Sequence, residues 1–490
     1  MKNLLLLIAI TSIFSCNQDN ELEQMFLNSY NEKNFNGSVL IAENGKIIFH
    51  MTYGNSDTLS QNLLTENHAF NTASISKLFT ATAISILLDD NLLSLEDNIV
   101  NILPKFQYKE IKIKHLLNHT SGLPDYTNSP QFFVPLYRKG VTIANNNDVL
   151  EWLYSAPELF FTPGEKFDYC NAEYVVLAEI VEKISSQTYK TFIEKNIFEP
   201  LDMQDSYVII NPENINSDSI ALGIDYSLNG KNFISNQTSH RGLYDGIYGD
   251  GGIYSTAKDL YKFLLGFNKL VSKELVDKAL SVPILANSEK GRYGLGWEIT
   301  FNEKNQKIIG HRGRWGGYST KMVMNLENKR VIIILSNNTM SPYSMEDYTS
   351  VINNILDGKE WVMPRKQASR VLSFCITTKG IDTAKELFAE LVKNRDKYIF
   401  YQTDFYLLGV SLYDKGYIEE SIFILELTAQ EFPDYKYTFQ TLGEIYEEKG
   451  NLEKAIKNLQ SWVELTPDDN ETKEKIVLME KRRQSESNLK

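Results

Sequence analysis

The chain has 490 residues, 42% of them hydrophobic and 23% charged, a balance that packs a core and excludes an intrinsically disordered chain. Lysine and arginine number 50 against 63 acidic residues, a net charge of −13, which excludes a nucleic-acid backbone as partner because no basic patch offsets it. The only cysteines, Cys16, Cys170 and Cys375, exclude a disulfide-stapled scaffold and a cysteine-rich zinc module, and no apolar run reaches the roughly 18 residues that span a bilayer.

The chain opens MKNLLLLIAITSIFSC. Lys2 supplies a positive n-region, and residues 4–10 form an apolar stretch too short for a membrane span. Ile13-Phe14-Ser15-Cys16 resembles a bacterial lipobox: an aliphatic residue three places before the cysteine and a small one directly before it. That resemblance implies that residues 1–15 are a signal peptide and that lipidated Cys16 becomes the new N-terminus. The membrane is then reached through a lipid anchor only, and the protein belongs in the bacterial cell envelope. The alternative is plain secretion with an incidental cysteine.

Residues 37–54, GSVLIAENGKIIFHMTYG, alternate around Asn44-Gly45 and predict a β-hairpin. Residues 73–88 are apolar nearly all round, as in a helix buried inside a domain. A second hairpin is predicted over residues 318–337, where YSTKMVMN and KRVIIILSN flank Leu326-Glu327-Asn328. Strands at both ends with helices between predict one antiparallel sheet closed by distant parts of the chain. The first domain is expected over 17–358. Charged residues and Pro364 mark a linker or first helix over 359–379, and beyond it no strand signal is found.

The last part, 380–490, repeats. Gly409 and Gly443, Gly416 and Gly450, and Pro433 and Pro467 each lie 34 residues apart. Tyr446, Ala455 and Pro467 fall at the spacing of a tetratricopeptide repeat, which this segment resembles. Two repeats are expected over 402–435 and 436–469, with a degenerate helix pair over 380–393 and a capping helix over 471–483. Stacked repeats would leave one concave groove for an extended peptide or a helix, so a protein partner is expected there.

Asn71-Thr72-Ala73-Ser74-Ile75-Ser76-Lys77 opens the buried helix. Ser74 and Lys77 are i and i+3 and share a face. At a helix start the serine oxygen sits near unpaired amides and the positive end of the dipole, which favours a developing oxyanion and a neutral lysine. A desolvated lysine amine there can take the serine proton. Alone, S-x-x-K more often marks a capping serine and a surface lysine.

Its company changes that weighing. His115-Leu116-Leu117-Asn118-His119-Thr120-Ser121-Gly122-Leu123-Pro124 follows, then Tyr169-Cys170-Asn171, Gly251-Gly252-Ile253-Tyr254-Ser255-Thr256 and His311-Arg312-Gly313. In order and spacing these resemble the serine β-lactamase and penicillin-binding protein superfamily, in its class C β-lactamase-related branch of esterases, D-aminopeptidases and D,D-peptidases. The resemblance covers about residues 36–338. It implies an α/β fold, an antiparallel sheet flanked by helices plus an all-helical subdomain, here followed by an all-α repeat domain.

The resemblance also implies roles. Ser74 is the nucleophile that forms an acyl-enzyme, and Lys77 helps deprotonate it. Tyr169 relays protons, with a pKa lowered by Lys77. Asn171 holds the substrate's carbonyl or amide. His311 takes the place of the lysine in Lys-Thr-Gly, on the strand edging the site, and Gly313 keeps that strand close to the substrate. The oxyanion hole is the backbone N–H of Ser74 and of Arg314. No cofactor and no metal is implied. His311 replaces a permanent cation with a group titrating near neutrality, and Arg312 replaces a small hydroxyl residue; it either clamps a carboxylate or points into solvent. The expected substrate is therefore a small-molecule ester or a peptide-like amide.

His115 and His119 are i, i+4, but the pair lacks the glutamate of H-E-x-x-H and a third ligand. Cys170 reads as a packing residue. Gly249-Asp250-Gly251-Gly252 and Tyr293-Gly294-Leu295-Gly296-Trp297 read as backbone-shaping segments. No G-x-S-x-G, P-loop or dinucleotide fingerprint occurs. The expected function is an envelope-anchored serine hydrolase. The alternatives are a non-catalytic peptidoglycan- or peptide-binding protein with a repeat scaffold, and a true β-lactamase.

Overall fold

The computed structural model describes residues 18–57, 62–210, 218–225, 234–235, 242–285, 291–339, 341–414 and 416–488. The signal-peptide and lipidation reading at Cys16 lies outside the described residues. None of the described helices is long and apolar enough to cross a membrane. The chain divides into two units, with a boundary between Val362 and Met363.

Besides the two-residue pair Ile224–Asp225 and Ile234–Ser235, the first unit has the strands β1 (Gly37–Glu43), β2 (Lys46–Tyr53), β3 (Phe70–Asn71), β4 (Tyr207–Val208), β5 (Ile253–Ser255), β6 (Glu298–Phe301), β7 (Lys307–Trp315), β8 (Tyr318–Asn325) and β9 (Val331–Ser336). The main sheet runs β2-β1-β9-β8-β7-β6, with every neighbouring pair antiparallel. Both predicted hairpins form. Asn44 and Gly45 both have positive φ, the backbone that a two-residue type I′ turn requires. The sheet is closed by distant parts of the chain, Val39 lying opposite Ile334. Residues 37–42 of β1 and all of β9 are buried. This is why these two strands read as continuous apolar runs, whereas β2, at the sheet edge, keeps exposed residues among its buried ones.

The helices that matter for the site are α1 (18–31), α2 (Ser76–Asp89), α3 (Asn171–Ser185), α4 (Ala257–Leu270) and α5 (Met345–Leu356). α2 is the buried helix that the sequence predicts. Phe79 stacks on Phe263 of α4 with ring centroids 4.2 Å apart. α1 sends Phe26 against Phe35 and Tyr348 of α5, at 4.9 and 5.6 Å. The short strands form a second sheet, β3-β5-β4, which pins the segment entering α2.

The second unit is helical: α6 (Ala368–Lys379), α7 (Ile381–Lys393), α8 (Gln402–Asp414), α9 (Ile418–Glu431), α10 (Tyr437–Glu448), α11 (Leu452–Leu465) and α12 (Asn470–Asn488). Two expectations are corrected. The segment 380–393 holds one helix, α7, which packs with α6 into a single apolar core. A strand pair also occurs, Lys366–Gln367 parallel to Tyr398–Ile399; two residues are too few to leave a period-two pattern. Close approach explains one repeated glycine. A Cβ on Gly409 would lie 2.6 Å from Leu425, and one on Gly443 would lie 2.6 Å from Leu459.

Candidate active site

Between Ala69 and Ser85 every residue is buried except Ser74, which is partly exposed. The reason is local. Ala73 has φ +50, a left-handed conformation that costs a non-glycine residue energy and persists only where surroundings hold it. Here Asn71 Oδ1 accepts the Ala73 N–H at 2.8 Å. Thr72 donates through both its N–H, at 2.9 Å, and its hydroxyl, at 2.8 Å, to the Ile253 carbonyl of β5. Ala73–Ile75 therefore forms a 3-10 turn, and α2 begins three residues later than the apolar pattern predicts. The turn lifts Ser74 out of an otherwise buried segment.

Lys77, one turn on, is fully buried. Its Nζ donates to Ser74 Oγ at 3.2 Å, to Asn171 Oδ1 at 2.8 Å and to the Asp250 carbonyl at 3.0 Å. Three acceptors for three N–H bonds hold the amine in one geometry. Asn171, the first residue of α3, is fixed in turn: its backbone N–H and its Nδ2 both donate to Asp125 Oδ2, at 3.1 and 2.8 Å. Its amide oxygen is thereby aimed at Lys77.

Tyr169 lies beside this group, with Lys77 Nζ 5.0 Å from its ring centroid. Burial pushes its phenol above the ordinary value, while Lys77's charge and hydrogen bonds with Lys77 and Ser74 pull it down. The net direction is upward, which corrects the expectation of a lowered pKa: desolvation outweighs the single nearby cation. The hydrogen bonds tie Tyr169 to both Ser74 and Lys77, so a proton can pass among three atoms, and the resulting titration belongs to the set.

β7 runs along the turn. A Cβ on Gly313 would lie 2.5 Å from the Thr72 carbonyl and 2.8 Å from Ala73 Cβ, so only glycine lets the strand approach this closely. Arg314 follows with an exposed side chain. Arg312 is exposed, its guanidinium 3.4 Å from both Glu298 and Glu346.

His311 is also corrected. It is 1% exposed. Tyr293 donates its hydroxyl to Nε2 at 2.7 Å, and Nδ1 donates to the Arg312 carbonyl at 2.6 Å. Burial, with Lys77's charge, pushes its pKa down to about 3, so it stays neutral where it was expected to titrate. The folded protein refuses a proton that an unfolded histidine accepts near 6.5, so stability falls as pH drops from about 6.5 toward 3. His311→Gln is expected to flatten the pH dependence of the unfolding free energy across that window by as much as one proton. Equal slopes for the two proteins would show that His311 is protonated in the fold.

Several site residues lie outside the motif roles read from the sequence. Asp125 orients Asn171. Asp250 presents its carbonyl to Lys77 and accepts the Tyr126 hydroxyl at 2.8 Å. Tyr293 donates its hydroxyl to His311 Nε2. Asp250 and Tyr293 sit inside the two glycine segments first read as backbone-shaping, so their positions were marked while their chemistry was not. Cys170 is buried, with its thiol pushed well up by burial, in keeping with packing. His115 and His119 do not converge: His115 Nδ1 accepts the Lys112 N–H, and His119 Nδ1 faces Glu173.

The family model described as "Beta-lactamase" matches residues 29–353. Penicillin-binding protein 4* of Bacillus subtilis (strain 168) is 34% identical over 378 residues, 75% of this chain and 81% of that protein. Among solved structures, the octameric penicillin-binding protein homologue from Pyrococcus abyssi superposes with a TM-score of 0.59 at 26% identity, over 70% of this chain and 78% of that one. The D-amino acid amidase from Ochrobactrum anthropi SV3 superposes with a TM-score of 0.57 at 19% identity, over 69% and 99%, a likeness of fold.

Proposed function

The chain belongs to the β-lactamase family and is a serine hydrolase, and from that premise we propose that Ser74 attacks the carbonyl of an ester or a peptide-like amide. The observation that carries this reading is the Lys77 side chain, fully buried with Nζ 3.2 Å from Ser74 Oγ. For attack the Lys77–Tyr169 pair must be short of one proton: Ser74 Oγ bonds to the carbonyl carbon, the carbonyl π pair moves onto its oxygen, and the serine proton passes to the unprotonated member of the pair. That proton then goes to the leaving alcohol or amine, and water releases the acid by the reverse path. The backbone N–H groups of Ser74 and Arg314 hold the oxyanion, and Asn171, gripped by Asp125, meets the substrate's amide.

Substrate choice follows from β7. His311 is neutral and Arg312 is paired with two glutamates, so neither supplies a free cation for a substrate carboxylate. Uncharged acyl donors are therefore preferred over β-lactams, and the amidase named above makes D-amino-acid amides the first amides to try. The experiment is fluorophosphonate labelling of Ser74, followed by a screen of short-chain esters, D-amino-acid amides, D-Ala-D-Ala peptides and a chromogenic cephalosporin. The cephalosporin turned over faster than every ester and amide would overturn the assignment.

Cys16 anchors the protein to a membrane of the cell envelope. Cys16→Ser should move it to the soluble fraction; retention on membranes after a salt wash would disprove the anchor. The helical unit stacks tetratricopeptide-type repeats that bind a protein partner. The 34-residue spacing and the matching approach of Leu425 and Leu459 to Gly409 and Gly443 support this. A chain ending at Val362 should keep kcat/KM for a small ester within about tenfold of the full chain. A larger loss in a folded truncation would mean that the helices serve the chemistry.

A further inference from the structure

Behind Tyr169 lies a buried pair that the proposed chemistry does not use, His119 and Glu173. We propose that His119, gripped by a protonated Glu173, is the positioning residue that holds Tyr169 in line with Ser74 and Lys77. This rests on the reading of Tyr169 as a proton carrier.

His119 grips the chain on both sides of Tyr169. Its carbonyl accepts the Asp168 N–H at 2.9 Å, and its Nδ1 accepts the Cys170 N–H at 3.3 Å. Its ring lies 4.3 Å from the Tyr169 ring, centroid to centroid. The residue is fully buried and sits at φ +58, a conformation that costs energy unless the surroundings impose it.

The hydrogen-bond pattern assigns the protons. A backbone N–H can only donate, so Nδ1 offers its lone pair to Cys170. Glu173 Oε2 lies 2.5 Å from that same Nδ1, and two acceptors do not approach so closely, so Oε2 carries a proton and donates it. Glu173 Oε1 accepts from the Ser121 N–H at 3.2 Å and from the Ser121 hydroxyl at 2.5 Å. The carboxyl is thus used at both oxygens, in the pattern of a carboxylic acid. Burial works in the same direction, pushing Glu173 well up and His119 well down, the latter helped by the charge of Lys77. The ring proton is then on Nε2, which has no hydrogen-bond partner among the described residues and lies among the rings of Tyr169, Tyr174, Tyr293 and Phe167. A neutral pair props the tyrosine without placing a second charge beside Lys77. Lys77 is the cation facing it, Asp125 and Asp168 are the carboxyl groups that also push Glu173 up, and His311 is neutral as well.

The test uses the full chain, a neutral chromogenic ester and a pH profile. His119→Asn keeps a residue that tolerates positive φ and removes the ring. It is expected to lower kcat about 10- to 100-fold, leave KM within about twofold, and shift the limb of the pH profile set by Lys77 and Tyr169. Glu173→Ala should show the same losses. Glu173→Gln should restore kcat to within a few-fold, since an amide N–H can donate to Nδ1 while its carbonyl accepts from Ser121. A difference infrared spectrum should show a protonated-carboxyl band that Glu173→Gln removes, a readout available even where the alanine variant does not fold. Full kcat with an unmoved pH profile in folded His119→Asn, absence of that band, or Glu173→Gln as impaired as Glu173→Ala would overturn the proposal. Tyr169→Phe separates the two claims. If it retains full activity, the reading of Tyr169 fails; if it is inactive while His119→Asn behaves as the wild type, only the role of His119 fails.

Discussion

Ser74→Ala is expected to abolish covalent labelling by a fluorophosphonate and to lower kcat by on the order of 10³-fold or more, with no loss of folded protein. The structure explains both halves. Ser74 Oγ meets Tyr169 and Lys77, and Lys77's other two acceptors, Asn171 Oδ1 and the Asp250 carbonyl, remain in place without it. The turn is held by Asn71 and Thr72, so alanine leaves its geometry alone. Intact-mass spectrometry after probe treatment, beside a melting curve, checks the two halves separately. Undiminished labelling of the alanine variant would remove Ser74 from the nucleophile's role.

Lys77→Met should lower kcat by about 10²- to 10⁴-fold, the range that a positioned proton-transfer group supplies, through a different physical route. Methionine fills much of the lysine's volume but donates nothing. Asn171 Oδ1 and the Asp250 carbonyl each lose a charged donor, at about 1–3 kcal/mol for each acceptor left buried and unpaired. Removing a fully buried ammonium returns part of that cost. The melting temperature should therefore move much less than the rate. Lys77→Met should also slow acylation by the fluorophosphonate, whereas a defect in substrate binding alone would raise KM and spare the labelling rate. Wild-type labelling kinetics in the folded variant would show that Lys77 takes no part in activating Ser74.

The parts of this architecture that were legible in the sequence are those written in short-range patterns. Asn44-Gly45 between alternating residues marks the β1–β2 hairpin, and the apolar run from residue 73 marks α2. The start of α2 was misplaced because Ala73's left-handed backbone is imposed by Asn71 and by β5, and Ile253 is far along the chain. His311 shows the same limit. A histidine's ordinary pKa is a property of the residue type, but its actual titration is set by burial and by the charge of Lys77. Tyr169 was read from its cation, Lys77, while its desolvation is a property of the folded core. Asp125, Asp250 and the His119–Glu173 pair act through partners separated by dozens to well over a hundred positions, and no local spacing encodes such a meeting. In the helical unit α8 to α11 lie within the two 34-residue segments 402–435 and 436–469, whereas the two-residue strand pairing before and after α7 left no periodic trace.

The pairing of β1 with β9, Val39 opposite Ile334, has a consequence for biogenesis. The β1–β2 hairpin emerges early, yet the strand that covers the other edge of β1 is made only after nearly all of the first unit. Until then the backbone edge of β1, a strand carrying the apolar run Val39-Leu40-Ile41-Ala42, is open to any strand it meets. Loop closure over so long a span is slow, so the nascent chain passes through a prolonged stage in which it can pair wrongly with a second copy of itself. A translation product stopping before β9 would carry the hairpin, the nucleophile turn and α2 but no partner for β1, and it should accumulate as aggregate, not as a weakly active fragment.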